Sequence, residues 1–181
     1  MKRKAFLKQL GGLSVLSLLA TSLVQAAVID PKLSKSLEKK IIRNESGKVF
    51  DIFGNKQVHK LVGADTNNQF FEWIDYLKPG AGIPMHTHTK EDEIFRVQTG
   101  TVEFTIGETS SILQKGDIAF APKNIPHAWR VLGDRDAQML VSVYPAGMEF
   151  MFEKLDALPK GKPDLEKVAS ISAEYGIHFI K

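Results

Sequence analysis

His86-Thr-His88 lies within the first of two glycine- and proline-framed segments, Gly80 to Gly100, and Glu93 follows His88 by five positions. Further along, Gly116-Asp-Ile-Ala-Phe-Ala-Pro122-Lys-Asn-Ile-Pro-His127 supplies a third imidazole. Three His and one Glu form a borderline-hard donor set. It suits Fe(II), Mn(II), Ni(II), Co(II) or Cu(II) better than a metal that seeks thiolates. Four donors occupy four positions of a six-coordinate ion and leave two for substrate, water or O2. The expected cofactor is therefore one divalent transition metal ion, held by His86, His88, Glu93 and His127.

The spacing says which element carries these donors. In a strand, residues i and i+2 point to one face, so His86 and His88 can reach one ion. In a helix the same pair would diverge by roughly 200°. Pro84 also argues against a helix interior. Glu93, Phe95 and Val97 share one face of the next stretch; Asp92, Ile94 and Arg96 take the other. His127 heads a further strand, His-Ala-Trp-Arg-Val, that must fold back onto the first. Phe95 and Trp129 share parity with Glu93 and His127, which makes them the expected walls of a substrate pocket. Barrel filling is the other reading of both. Arg130 has the opposite parity and is expected to face outward. His59 and His178 lie outside the frame and read as structural or solvent-facing.

At these residues the chain resembles the cupins. Their first motif is Gly-x5-His-x-His-x(3–4)-Glu-x6-Gly, and Gly80, His86, His88, Glu93 and Gly100 match each fixed position. Their second is Gly-x5-Pro-x-Gly-x2-His-x3-Asn. Gly116, Pro122 and His127 match it, whereas Asn124 replaces the internal Gly and Val131 the final Asn. Asn adopts a left-handed backbone more readily than most residues, so the turn is expected to survive. Gly63-Ala-Asp-Thr, Tyr144-Pro-Ala-Gly-Met-Glu-Phe and Glu174-Tyr-Gly-Ile-His-Phe are similar to single-domain bacterial cupins of the quercetin 2,3-dioxygenase-like group. The resemblance implies an all-β, double-stranded β-helix: a jelly-roll barrel with C-terminal helices. It also implies a metal-dependent dioxygenase acting on a small flavonol- or catechol-like molecule, with Glu93 both ligand and general base. The alternatives are a non-redox metal cupin (decarboxylase, isomerase or hydrolase of a small oxo-acid) and a non-catalytic metal- or small-molecule-binding protein.

The elements that must position the donors are short strands. Val49 to Val62 reads as a hairpin turning at Gly54-Asn55, and Gln69 to Leu77 as an aromatic-rich strand. In Thr101 to Ile106, Val102, Phe104 and Ile106 share a face. Stretches 110–113, 118–121, 127–132 and 138–144 complete the series. Residues 47–147 are thus the expected barrel. Residues 148–181 form a helical extension outside it, with helices over 148–158 and 164–175, the second capped by Asp164 and stopped by Gly176. Residues 27–46 are a lead-in arm with Leu33, Leu37 and Ile41 at helical spacing. Jelly rolls pair through edge strands, so a homodimer through 69–77 is expected.

Residues 1–26 read as a signal peptide: a basic start, an apolar run from Leu10 to Val24, and cleavage after Ala26. Arg3-Lys-Ala-Phe-Leu-Lys8 resembles the twin-arginine export consensus, with a general secretory signal as the alternative. The expected location is periplasmic or secreted, with no membrane association after cleavage. The formal charge of +3 belongs to the precursor. Removing Lys2, Arg3, Lys4 and Lys8 from the 24 basic residues leaves 20 against 21 acidic ones. Nothing in that balance points to nucleic acid. No cysteine is present, which excludes disulfides and thiolate ligation. The expected partner is a small-molecule substrate.

Overall fold

The structure is a computed structural model that describes residues 37–180. The signal-peptide reading and the arm up to residue 36 lie outside the described residues. The strands are β1 (Lys48–Ile52), β2 (Asn55–Leu61), β3 (Phe71–Leu77), β4 (Gly82–His88), β5 (Asp92–Thr99), β6 (Thr101–Ile106), β7 (Thr109–Gln114), β8 (Ile118–Ala121), β9 (His127–Leu132), β10 (Ala137–Tyr144) and β11 (Ile177–Phe179). Three helices join them: α1 (Gly63–Thr66), α2 (Glu149–Asp156) and α3 (Leu165–Glu174). A six-stranded sheet runs β1-β2-β3-β10-β5-β8 and a five-stranded sheet runs β11-β4-β9-β6-β7. The chain is all-β, a jelly roll with two C-terminal helices. Among the described residues, no helix is long and apolar enough to cross a membrane.

Strict alternation builds the core. Glu93, Phe95 and Val97 of β5 are buried, as are Met139, Val141 and Val143 of β10. From the other sheet, Val102, Phe104, Trp129 and Val131 face them. The rings of Phe95 and Phe104 meet at 4.9 Å between centroids. Gly100 links β5 to β6 with φ of 83°, and a Cβ there would lie 2.6 Å from the Ala137 Cβ. Conformation and space both demand glycine at this motif position.

Four expectations need correction. The hairpin turns at Phe53-Gly54, one residue earlier than its Gly suggested, with both residues at positive φ. A two-residue loop between right-twisted strands requires that conformation. Residues 37–46 contain no helix; Leu37 and Ile41 are 51% and 92% exposed, so an apolar stripe there has nothing to pack on. β3 is paired on both sides, with β2 and β10, so it offers no edge for a dimer; the edges of its sheet are β1 and β8. The C-terminal extension is not wholly helical, because β11 pairs with β4 opposite the metal-ligand candidates.

His59 shows how a polar group is held inside. Its ring is 4% exposed and packs against Phe50 at 4.1 Å and Phe71 at 4.6 Å between centroids. Burial, and then the charge of Lys48, pushes its pKa from 6.5 down to about 3. A depressed imidazole pKa contributes stability fully above the unfolded value near 6.5 and loses it as pH falls toward 3. The variant His59→Phe keeps the ring packing and removes this titration. We expect the stability lost between pH 7 and pH 4 in urea unfolding to be smaller in the variant. An equal loss in both proteins would contradict this role.

Candidate metal centre

β4, β5 and β9 bring the four predicted donors together. One donor atom from each of His86, His88, Glu93 and His127 lies within 4.8 Å of the others, and all four residues are buried. His88 Nε2 is 3.4 Å from Glu93 Oε2, and His127 Nε2 is 3.2 Å from the same oxygen. Local sequence explains the aim of each ring. β4 and β9 pair Ile83 with Trp129 and His86 with His127, with a register shift between. Pro84, which has no N–H to give the ladder, sits in that irregularity and turns His86 inward. Asn124 has φ of 65°, the left-handed conformation expected of the replaced glycine. Its N–H donates to the His88 carbonyl at 2.7 Å and ties the β8–β9 loop to the ligand strand. Val131, in place of the motif Asn, is buried and lies away from the cluster.

The donor set fits a cation. His86 Nδ1 lies 2.9 Å from the Pro84 carbonyl and His127 Nδ1 lies 3.1 Å from the Ile125 carbonyl. A carbonyl can only accept, so each Nδ1 carries the proton and donates it. Each Nε2 is then free to ligate, which is the usual way a backbone carbonyl fixes a ligand imidazole. Burial, and then the neighbouring His127, pushes the His86 pKa down to about 4, and burial lowers that of His88. Both are neutral ligands at pH 7. Burial alone would raise Glu93, but the surrounding imidazoles, His88 first, which take up protons in the acid range where Glu93 titrates, and the His127 hydrogen bond outweigh it and hold the carboxyl below its usual value. Burial would likewise lower His127; the hydrogen bond to Glu93 and its charge outweigh that and raise it. Three imidazole nitrogens converging on one carboxylate, all out of water, is a cluster that one divalent ion would satisfy.

One neighbour was missed from the sequence. Glu91 is 4% exposed, and its Oε2 lies 3.8 Å from His88 Nδ1, too far for a hydrogen bond. Both atoms are buried without partners. Burial pushes the Glu91 pKa up to about 7, against the charge of Lys90. A carboxylate behind a ligand imidazole is the common way to orient it. Glu91 lies between β4 and β5, where no periodicity marks which side chains turn inward.

A cavity of about 450 Å³ opens onto His86, His88 and Glu93. Phe95 and Trp129 line it, where strand parity put them, together with Trp73 and Phe152. The helices contribute Met151, Leu155 and Val168 to the lining, and Met148 just before α2 adds to it. They therefore cover the cavity; their apolar residues do more than pack against the barrel's outside. Arg130 faces out and pairs with Glu103 at 3.1 Å. His178 is exposed.

Residues 73–144 match the family model described as Cupin domain, a span that contains all four donors. The matched segment, residues 73–144, is a cupin domain. Among solved structures it is similar to KdgF from Halomonas sp., at 18% identity and a TM-score of 0.56, covering 62% of this chain and 99% of that one. A predicted oxalate decarboxylase from Thermotoga maritima matches at 19% identity and a TM-score of 0.53, covering 59% of this chain and 99% of that one. An RmlC-like cupin from Shewanella frigidimarina matches at 18% identity and a TM-score of 0.54, covering 62% and 96%. At such identities the likeness concerns the fold alone. No curated protein sequence matches the chain.

Proposed function

We propose that this is an exported, mononuclear metal-dependent dioxygenase whose substrate is a small flat aromatic of the flavonol or catechol kind. The observation that carries the reading is the lining of the cavity beside the donor cluster. Trp73, Phe95, Trp129 and Phe152 wall it, and among the described residues no Lys or Arg lines it. A site for a small oxo-acid would be expected to place a cationic side chain against the carboxylate. Aromatic walls instead accept a ring by face or edge contact. The volume is within the usual range for a small-ligand site.

His86, His88, Glu93 and His127 would hold the ion, and a divalent ion held there would supply Lewis-acid chemistry. The protein's own part is to orient and to move a proton. The aromatic walls fix the plane of the ring. Glu93 has a carboxylate held ionised among imidazoles at the cavity wall, and it accepts the proton of an entering hydroxyl. α2 and α3 add apolar side chains to the cavity wall. The leader resemblance supports export.

The test is O2 consumption by metal-loaded protein presented with catechol or 3-hydroxyflavone. Substrate-dependent uptake is expected. Turnover of an oxo-acid with no O2 uptake on either aromatic would overturn the reading in favour of a non-redox cupin. Binding without any turnover would favour a carrier.

A further inference from the structure

The inner face of β2 and β3 carries polar side chains where an apolar core would place aliphatic ones. Gln57 stands opposite Asp75, and His59 opposite Trp73. All four are buried. Trp73 Nε1 donates to Asp75 Oδ2 at 2.9 Å, and Gln57 Nε2 donates to Asp75 Oδ1 at 2.9 Å. His59 Nε2 lies 2.8 Å from Gln57 Oε1, which accepts from it. An indole nitrogen only donates, so Asp75 is held as an acceptor. Each carboxylate oxygen has two acceptor sites, and these two bonds use one on each.

Asp75 also lines the cavity that opens onto the four donors. Across the sheet it stands opposite Met139, which stands opposite Val97. Glu93 lies four residues from Val97 on β5, or about 13 Å of strand. The cavity therefore has two polar ends, the donor cluster and Asp75, with Trp73 and Phe95 in the wall. Burial pushes the Asp75 pKa up to about 6, against the hydrogen bonds from Gln57 and Trp73. Among the described residues, no Lys or Arg lines the cavity to pair with the Asp75 carboxylate. A buried carboxylate without a counter-charge is costly, and packing the neighbours does not require one.

We propose that Asp75 is the second polar anchor of this cavity, accepting a hydrogen bond from the end of the ligand remote from the metal cluster. The proposal rests on the aromatic-substrate reading, and it narrows the class. The ligand presents an oxygen at the cluster and carries a phenolic hydroxyl on a second ring that reaches Asp75. Gln57 and Trp73 fix the carboxylate, so it discriminates by position as well as by charge.

Two probes separate the claims. 3-Hydroxyflavone and 3,4′-dihydroxyflavone differ by one hydroxyl on the remote ring. Quenching of tryptophan fluorescence reads their binding to the full metal-loaded protein, since Trp73 and Trp129 both line the cavity. The dihydroxy compound is expected to bind about tenfold more tightly or better, as a hydrogen bond to a charged acceptor allows. In Asp75→Asn the preference should shrink to near unity, with affinity for 3-hydroxyflavone held within a few-fold. Equal affinities in the unmodified protein would overturn the proposal with no variant needed. So would a preference that survives in Asp75→Asn. If both flavones bind without preference, only the role of Asp75 falls. If neither binds, the aromatic reading falls with it.

Discussion

Replacing His127 by Ala is expected to weaken binding of a divalent transition ion by about 100-fold or more while the barrel stays folded. The scale follows from partners one shell further out, whose loss typically costs about 10–100-fold in metal affinity. A direct donor should cost at least the upper end. His127 stands between His86 and Glu93, with its ring centroid 4.2 Å from that of His86 and its Nε2 3.2 Å from the shared carboxylate oxygen. Its loss opens one side of the cluster. The fold should survive, because the main core (Phe71, Phe104, Met139 and Val141 among others) is apolar and extends well beyond the cluster. Equilibrium dialysis against a competing chelator, with circular dichroism as the check on folding, measures both. A folded variant that kept full metal content would mean that the second motif had been misread.

Glu93→Gln separates ligation from proton transfer. Gln keeps an oxygen for the ion but can neither carry charge nor accept a proton. If Glu93 only completes the cluster, excess metal should restore turnover. If it also takes the substrate proton, turnover at saturating metal should remain down by about 10²–10⁴-fold, the usual worth of a general base. The second result is expected. The carboxylate is buried, its pKa lies below the usual value, and it is placed at the cavity wall. Near-normal turnover of the variant at saturating metal would leave Glu93 a ligand alone.

Period-two reasoning found the faces of the strands well. It placed His86 and His88 on one side, Glu93 with Phe95, and Trp129 with His127, because side-chain alternation is a local property. The motif resemblance, rather than alternation, marked Asn124 as a left-handed substitute for glycine, and its φ of 65° agrees. What alternation could not see was which strand lies beside which. β3 pairs with β10 across more than half the barrel's sequence, and so it became an interior strand where an edge was expected. The closing strand β11 is three residues long, too short for any alternation to announce it. Helical spacing in the arm misled for a different reason: a stripe forms a helix only when something covers it, and Leu37 and Ile41 are uncovered.

Asp75 was legible in principle. Phe71, Trp73, Asp75 and Leu77 alternate on one face, so an acid stands on the apolar parity of its strand. Such a residue must find partners or a function, and here it has Gln57, Trp73 and the cavity. Glu91 left no comparable sign, since the link between β4 and β5 has no face to read.

The central claim is that His86, His88, Glu93 and His127 hold one ion. X-ray absorption at the metal edge, on protein isolated from its native source, tests it most directly. The account predicts one first-row transition ion per chain, a shell of nitrogen and oxygen only, and the outer-shell scattering of three imidazoles. A protein that carries no such ion and takes none up, or an ion whose spectrum lacks imidazole scattering, would contradict it.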